Sequence, residues 1–426
     1  MRQRLSVALV YLTNKGLARV ALLGDTAACA RLLLGFPQSA GAIRMIPRTI
    51  FDDGHESFRE TVRRFIAKEI EPHYAQWEKD GVVSREVWLA AGDAGILCTW
   101  VPEAYGGAGA DFLYSAIVVE EMGRSGYAGV AFHLHSDIVT PYIFHYGTEE
   151  QKQKWLPKLV SGEVISAIAM SEPAAGSDLQ GMKTHARRDG DEYVINGQKI
   201  FISNGQLSDL IVLACKTDPS AKGRGISQIL IERDTQGFVR GKNLEKVGYH
   251  AQDTSEMFFD DCRVPITNLL GEEGKGFIQL VQQLAQERLV VALRSAAILE
   301  SAVEWTTKYV NEREAFGKTL ASFQNTRFKL AEMKTKAVVT RSFIDACLTQ
   351  HMTEGLDAND AAMAKLHSTE TMCEVLDDCV QLHGGYGYMW EYPIARAWAD
   401  NRMSRIAGGS SEIMKEIIGR TMTDTK

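Results

Sequence analysis

Glu192-Tyr193-Val194-Ile195-Asn196-Gly197 followed by Lys199-Ile200-Phe201-Ile202 decides the architecture. Two short pieces rich in β-branched and aromatic residues flank an Asn-Gly pair, the pattern of a β-hairpin. Around it lie more β-type runs: Leu210 to Ala214, Ser227 to Ile231, and Glu256 to Phe259, the last closing before Pro265. No helix of useful length alternates with these runs, which disfavours a doubly wound parallel sheet. No G-x-G-x-x-G follows any of them, which argues against a Rossmann nicotinamide site. Residues 166–274 therefore read as a small, mostly antiparallel β domain.

On both sides the periodicity is helical. Phe58, Val62, Phe65, Ile66 and Ile70 share one helix face, which Pro72 is expected to stop, and Ala116 to Met122 can supply its partner. Pro102 to Gly107 reads as a loop. After the sheet, Leu330, Met333, Ala337, Ile344, Cys347 and Leu348 form one apolar stripe, and Met363, Leu366, Cys373, Leu376 and Val380 another, as in antiparallel bundle helices. The expected fold is α+β and mainly α: an N-terminal helical domain (45–165), the middle β domain (166–274) and a C-terminal helical bundle (275–426).

The chain has 426 residues with 45% hydrophobic content, enough to bury a large core. A net charge of −7 with mixed signs gives no basic field for nucleic acid. Seven cysteines without a C-x-x-C pair read as reduced thiols. His133 and His135 have no third ligand at metal spacing, so they read as structural or surface residues, and no metal is expected. Residues 1–44 carry Arg2, Arg4, Lys15, Arg19, Arg31 and Arg44 against one acid, Asp25. That composition suits a transit-like segment, or an extension upstream of a start at Met45. No uncharged run is long enough for a membrane span.

Five motifs, in order, carry a resemblance. They are Ala167 to Leu179 (AIAMSEPAAGSDL), Gly197 to Gly205 (GQKIFISNG), Arg313 to Lys318 (REAFGK), Gln381 to Tyr388 (QLHGGYGY), and Gly409 to Ile413 (GSSEI). Together they resemble the flavin-dependent acyl-CoA dehydrogenases over residues 50–420, the long-chain branch most of all. Two positions depart from the pattern: Ala174 replaces a usual glycine, and Ala407 stands where tyrosine is common, which would enlarge the pocket.

The resemblance implies FAD as cofactor, an acyl-CoA substrate oxidised to trans-2-enoyl-CoA, electron-transfer flavoprotein as acceptor, and a homotetramer. It implies a bacterial cytoplasmic or mitochondrial matrix location, the former slightly favoured. Flavin contacts are implied at Ile168, Met170, Ser171, Phe201, Ile202 and Ser203. Ser171 would hydrogen-bond the ring and Phe201 would cover it. Ser177 falls near the CoA moiety. Arg313, Gln324, Gln381, Gly384, Gly385, Ser410 and Glu412 match other cofactor positions, those up to Gly385 reached from a neighbouring subunit.

One departure concerns the chemistry. Most members carry the proton-abstracting glutamate where this chain has Gly408. Gln286-Glu287-Arg288-Leu289 resembles the segment supplying the base in the long-chain and isovaleryl branches. On a helix, Glu287 would sit among Leu284, Val290 and Val291, where burial raises a carboxyl pKa and strengthens the base. Gly408 would keep its role through its backbone N–H, aimed at the thioester oxygen. Gly409 and Arg288 are further substrate candidates, Arg288 either orienting base or substrate or forming a structural ion pair. Alternatives are an isovaleryl-type enzyme for short branched chains, an oxidase, or a catalytically silent paralogue acting as an assembly partner.

Overall fold

The computed structural model describes residues 46–423, so the expectations for residues 1–44 and for Cys29 lie outside the described residues. The first helices are α1 (Asp53–Phe65), α2 (Glu71–Asp80), α3 (Arg85–Asp93), α4 (Phe112–Ser125), α5 (Thr140–Tyr146) and α6 (Glu149–Val160). Asp52 caps α1 by accepting from His55 N, and His55 returns the bond to the Asp52 N–H.

Pro72 does not stop the first helix. A π-helical turn, Ile66–Ile70, carries the chain from α1 straight into α2, with Pro72 in the first turn of α2. The wide turn removes the demand for the i→i−4 donor that proline lacks. The same device recurs at Leu134–Val139, which leads into α5 with Pro141 in its first turn.

The sheet contains β1 (Ser166–Ala169), β2 (His185–Asp189), β3 (Glu192–Ser203), β4 (Leu210–Lys216), β5 (Ile226–Glu232), β6 (Phe238–Asn243) and β7 (Thr254–Pro265). Its order is β1-β4-β2-β3-β7-β6, with β5 also paired to β4. β1 runs parallel to β4, and β2 meets β4 at one bridge, His185 with Lys216; the other pairings are antiparallel. The expected hairpin turn at Asn196-Gly197 is instead a bulge inside the single long strand β3, where the register against β7 slips between Ile195 and Gly197. Gly197 lies against Thr184, the residue just before β2, and a Cβ there would fall 2.6 Å from the Thr184 backbone, so glycine serves close approach here. β7 also runs on through Pro265.

The C-terminal helices are α7 (Gly276–Glu312), α8 (Gln324–Thr353), α9 (Ala358–His383), α10 (Pro393–Asn401) and α11 (Ser411–Arg420). The α8 stripe is buried largely as expected, through Met333, Ala337, Ile344, Cys347 and Leu348. On α9 the core face is offset from the expected stripe. Of its five residues only Leu376 is buried; the buried face runs through Ala361, Ala364, Lys365, Ser368, Met372, Val375 and Cys379. Small and polar residues fill it because α9 packs closely on α7, which leaves no room for a row of large side chains.

Candidate active site

Glu287 lies on α7 and is 5% exposed. Its Oε1 accepts a hydrogen bond from the buried Tyr142 hydroxyl on α5, at 2.7 Å. Burial pushes the Glu287 carboxyl up to about 7, against the opposing pull of the Tyr142 bond and the charge of Arg288. The π-helical turn before α5 is clamped to the same stretch of α7, since Gln286 donates to the Asp137 carbonyl at 2.9 Å. The turn is clamped to the sheet through His135, whose ring nitrogens pair with the Leu159 carbonyl (2.9 Å) and the Ser166 hydroxyl (2.9 Å). His135 thus joins helix to sheet.

The two glycines before α11 lie over the same part of α7. A Cβ built on Gly408 would stand 4.0 Å from Val291, one helical turn beyond Glu287. A Cβ on Gly409 would stand 4.0 Å from the Arg288 guanidinium. Both glycines have positive φ, +67° and +98°. Among the described residues, neither the Gly408 nor the Gly409 N–H donates to a protein acceptor. Arg288 is 4% exposed and makes no ion pair or hydrogen bond among the described residues. A buried guanidinium and a free backbone N–H in one place suit a ligand that carries or develops negative charge. Ser410 caps α11 by accepting from Ile413 N, while Glu412 is exposed in its first turn.

A second group of expected residues gathers at the sheet. The register of β3 against β7 slips again between Lys199 and Ile202, and Phe201 sits in this slip with φ +63° and 66% exposure. An exposed aromatic on a strained strand offers a flat apolar wall. Half-buried Met170 and Ser171 lie beside it, since Ile200 N donates to the Ser171 carbonyl at 3.0 Å. Ile168 and Ile202 turn their side chains into the core and Ser203 is half-buried, so the two isoleucines present only backbone to a ligand. Ser177 is exposed on the loop after β1.

The remaining expected residues are elsewhere. Arg313, Gln324, Gln381, Gly384 and Gly385 are exposed, and Arg313 stacks 5.4 Å from the Tyr386 ring centroid. Arg313 follows the last turn of α7, and at 1.5 Å per residue it stands roughly 40 Å along the helix from Glu287. A Cβ on Gly384 or Gly385 would meet nothing within 4 Å. This open glycine surface with an arginine beside it fits a phosphate-bearing group, and the Phe201 wall with the Met170–Ser171 edge fits a planar ring, so the residues present suit FAD. One chain holds the two parts far apart.

Tyr142, Lys199 and Lys365 were not singled out from sequence. Lys199 is fully buried and its ammonium donates to the Met170 carbonyl (2.9 Å) and to Glu172 (2.8 Å). Glu172 in turn accepts from Lys183 N and Thr184 N, which fixes the loop beside Phe201. Lys199 lies within the Gly197–Gly205 motif; Tyr142 has no local signal, because its partner is 145 residues away.

These features define a flavoprotein-type dehydrogenase built as helices, sheet, helices. The chain matches the family models described as acyl-CoA dehydrogenase N-terminal domain over residues 52–163, middle domain over 167–262 and C-terminal domain over 274–423. It belongs to the acyl-CoA dehydrogenase family and is an oxidoreductase. It is 50% identical over 375 residues to the mitochondrial long-chain specific acyl-CoA dehydrogenase of Mus musculus, covering 88% of this chain and 87% of the relative. Among solved structures it resembles an acyl-CoA dehydrogenase from Geobacillus kaustophilus, with TM-score 0.87 and 51% identity over 89% of this chain and 100% of the other. It also resembles a glutaryl-CoA dehydrogenase from Mycobacterium smegmatis in complex with FADH2, with TM-score 0.82 and 28% identity over 88% and 96%.

Proposed function

We propose that this chain oxidises a long-chain acyl-CoA to the trans-2-enoyl-CoA with FAD as cofactor, Glu287 being the base. The observation that carries this reading is the buried Glu287 carboxyl on the same face of α7 that Gly408 and Gly409 cover. A carboxylate rooted at 287 reaches the space that a side chain at 408 would otherwise serve. Bound FAD would supply the acceptor for the β-hydrogen and its electron pair, with electron-transfer flavoprotein as the onward acceptor. Phe201, Met170 and Ser171 would hold the ring.

The α-carbon of the thioester would lie against Glu287 and its carbonyl oxygen at the Gly408 N–H. Removal of the α-proton by Glu287 leaves enolate charge on that oxygen. The N–H of Gly408 stabilises this charge as it forms, with the Arg288 guanidinium adding positive field behind the loop. Exclusion of water by the buried walls strengthens both effects. The roughly 40 Å between Glu287 and Arg313 supports a second subunit supplying Arg313, Gln324 and the Gln381–Gly385 turn to each cofactor, in keeping with a homotetramer. The 50% identity to a long-chain enzyme supports the long-chain reading over the isovaleryl one.

Anaerobic titration of the purified yellow protein with palmitoyl-CoA and isovaleryl-CoA tests the reading. Bleaching is expected with palmitoyl-CoA and little with isovaleryl-CoA; the reverse preference rejects the long-chain substrate, and no bleaching by any acyl-CoA rejects the activity. The rate should rise with pH through about 7 as Glu287 ionises. Tyr142→Phe removes a bond that favours the ionised carboxylate, so the acid limb of the profile should move to higher pH. An unmoved limb would show that Tyr142 does not tune the base.

A further inference from the structure

Lys365 lies in the middle of α9 and is completely buried, yet it pairs with no carboxylate. Among the described residues its ammonium has one acceptor, the carbonyl oxygen of Gly409, at 2.6 Å. Burying a cation is costly, and here one peptide oxygen takes the whole charge-assisted bond. That oxygen belongs to the loop with two successive glycines at positive φ. Two glycines in series are the most permissive backbone available, so such a loop loses more freedom on becoming fixed than any other pair would. Its C-terminal end is held by the Ser410 cap on α11, and its N-terminal end by Ala407 N donating to the Met403 carbonyl. Between these points, the peptide of Gly409 has no other hydrogen bond to protein among the described residues.

We propose that Lys365 is a positioning residue: by gripping the Gly409 carbonyl it fixes the two-glycine loop and aims the Gly408 N–H at the thioester oxygen. The proposal rests on the dehydrogenase reading above and extends it to a group that touches neither substrate nor cofactor. The grip has particular value here, because a chain with glycine at 408 has no side chain there to anchor the loop. Groups facing Lys365 are Arg288 from α7, Arg405 from the turn after α10, and Glu370 and Cys373 from α9 itself. Burial first, then the repulsion of Arg288, pushes the lysine down to about 8, whereas burial raises the Cys373 thiol from its usual value.

The test separates loop geometry from proton removal. In a Glu287→Gln background, where proton removal is slowed on the order of 10³-fold, the infrared carbonyl stretch of bound palmitoyl-CoA labelled with carbon-13 at C1, recorded before bleaching, reports polarisation by the loop. With Lys365 present the stretch should shift to lower frequency than in solution; adding Lys365→Met should abolish most of that shift. With Glu287 intact, Lys365→Met should lower kcat by up to about 100-fold, the lower end of what outright loss of one oxyanion donor costs because the Gly408 N–H itself remains, with the dissociation constant for palmitoyl-CoA little changed. An undiminished shift, or a loss confined to binding, overturns the proposal. Should Lys365→Met not fold, Lys365→Gln decides: its amide ends one bond short of the position from which the ammonium reaches the Gly409 carbonyl, so the shift should shrink, and an undiminished shift overturns the assignment. Failure of the Glu287 reading looks different, since Glu287→Gln would then bleach normally.

Discussion

Glu287→Gln is expected to keep its flavin and its affinity for acyl-CoA while the rate of anaerobic bleaching falls by a factor on the order of 10³, within the span usual for loss of a general base. Glutamine preserves the volume and can still accept from the Tyr142 hydroxyl, so the site should keep its shape. The same variant carries a stability signature of the opposite sign. Folded Glu287 holds its proton up to about 7, against an ordinary 4.5. The unfolded chain therefore binds fewer protons between these values, and native stability declines as pH rises through that window. Above pH 7 the full cost remains, up to about 3 kcal/mol. Glutamine does not ionise. The variant should thus melt higher than the parent at pH 8 and lose that advantage at about pH 4. Normal bleaching rejects Glu287 as base; a melting difference independent of pH rejects its burial-raised pKa.

This trade of stability for a stronger base was partly legible in the residues. Leu284, Val290 and Val291 around Glu287 marked an apolar helix face, and the structure does bury the carboxyl there. The order of helices, sheet and helices was legible for a similar reason, since period and composition are local properties. What could not be read depended on close approach between distant segments. Asn196-Gly197 has the composition of a turn, but β7 pairs on both sides of it and the chain bulges instead of reversing. Pro72 has the composition of a stop, but a widened turn absorbs its missing donor. Lys365 carried no local signal, since its burial depends on the Gly409 carbonyl, 44 residues further on, arriving over α9. The resemblance set Phe201 against a flavin ring, but the register slip that turns it outward is set by the pairing with β7 and is not visible in the strand itself.

Glu120→Ala should be the most destabilising single change away from the site. Glu120 on α4 is 1% exposed and meets three arginines: Arg48 at 2.7 Å, Arg341 at 2.8 Å and Arg59 at 3.1 Å. These come from the segment before α1, from α8 and from α1, and Arg341 also bonds Glu300 on α7, the helix that carries Glu287. One carboxylate thus closes a network through which four helices are held in register. Each arginine keeps another acid, Asp345, Glu300 or Glu121, so the loss is not one of net charge: three buried guanidiniums each lose the carboxylate they share and a charge-assisted bond with it. Removing one partner of a buried ion pair costs about 3 to 5 kcal/mol, so the melting midpoint should fall on the order of 3 to 6 °C for a chain of this size. The arginines outweigh burial and hold the Glu120 carboxyl far below the usual carboxylate range. Stability from a depressed carboxyl is present above its unfolded pKa and is lost only as pH falls through the folded one. The gap between parent and variant should therefore persist across neutral pH and close only in strong acid, the reverse of the Glu287→Gln profile. Glu120→Gln, which keeps an acceptor but not the charge, should fall between the two. Equal melting of Glu120→Ala and the parent at pH 7 would mean that the arginines are satisfied by their remaining acids and that Glu120 is not what joins the four helices.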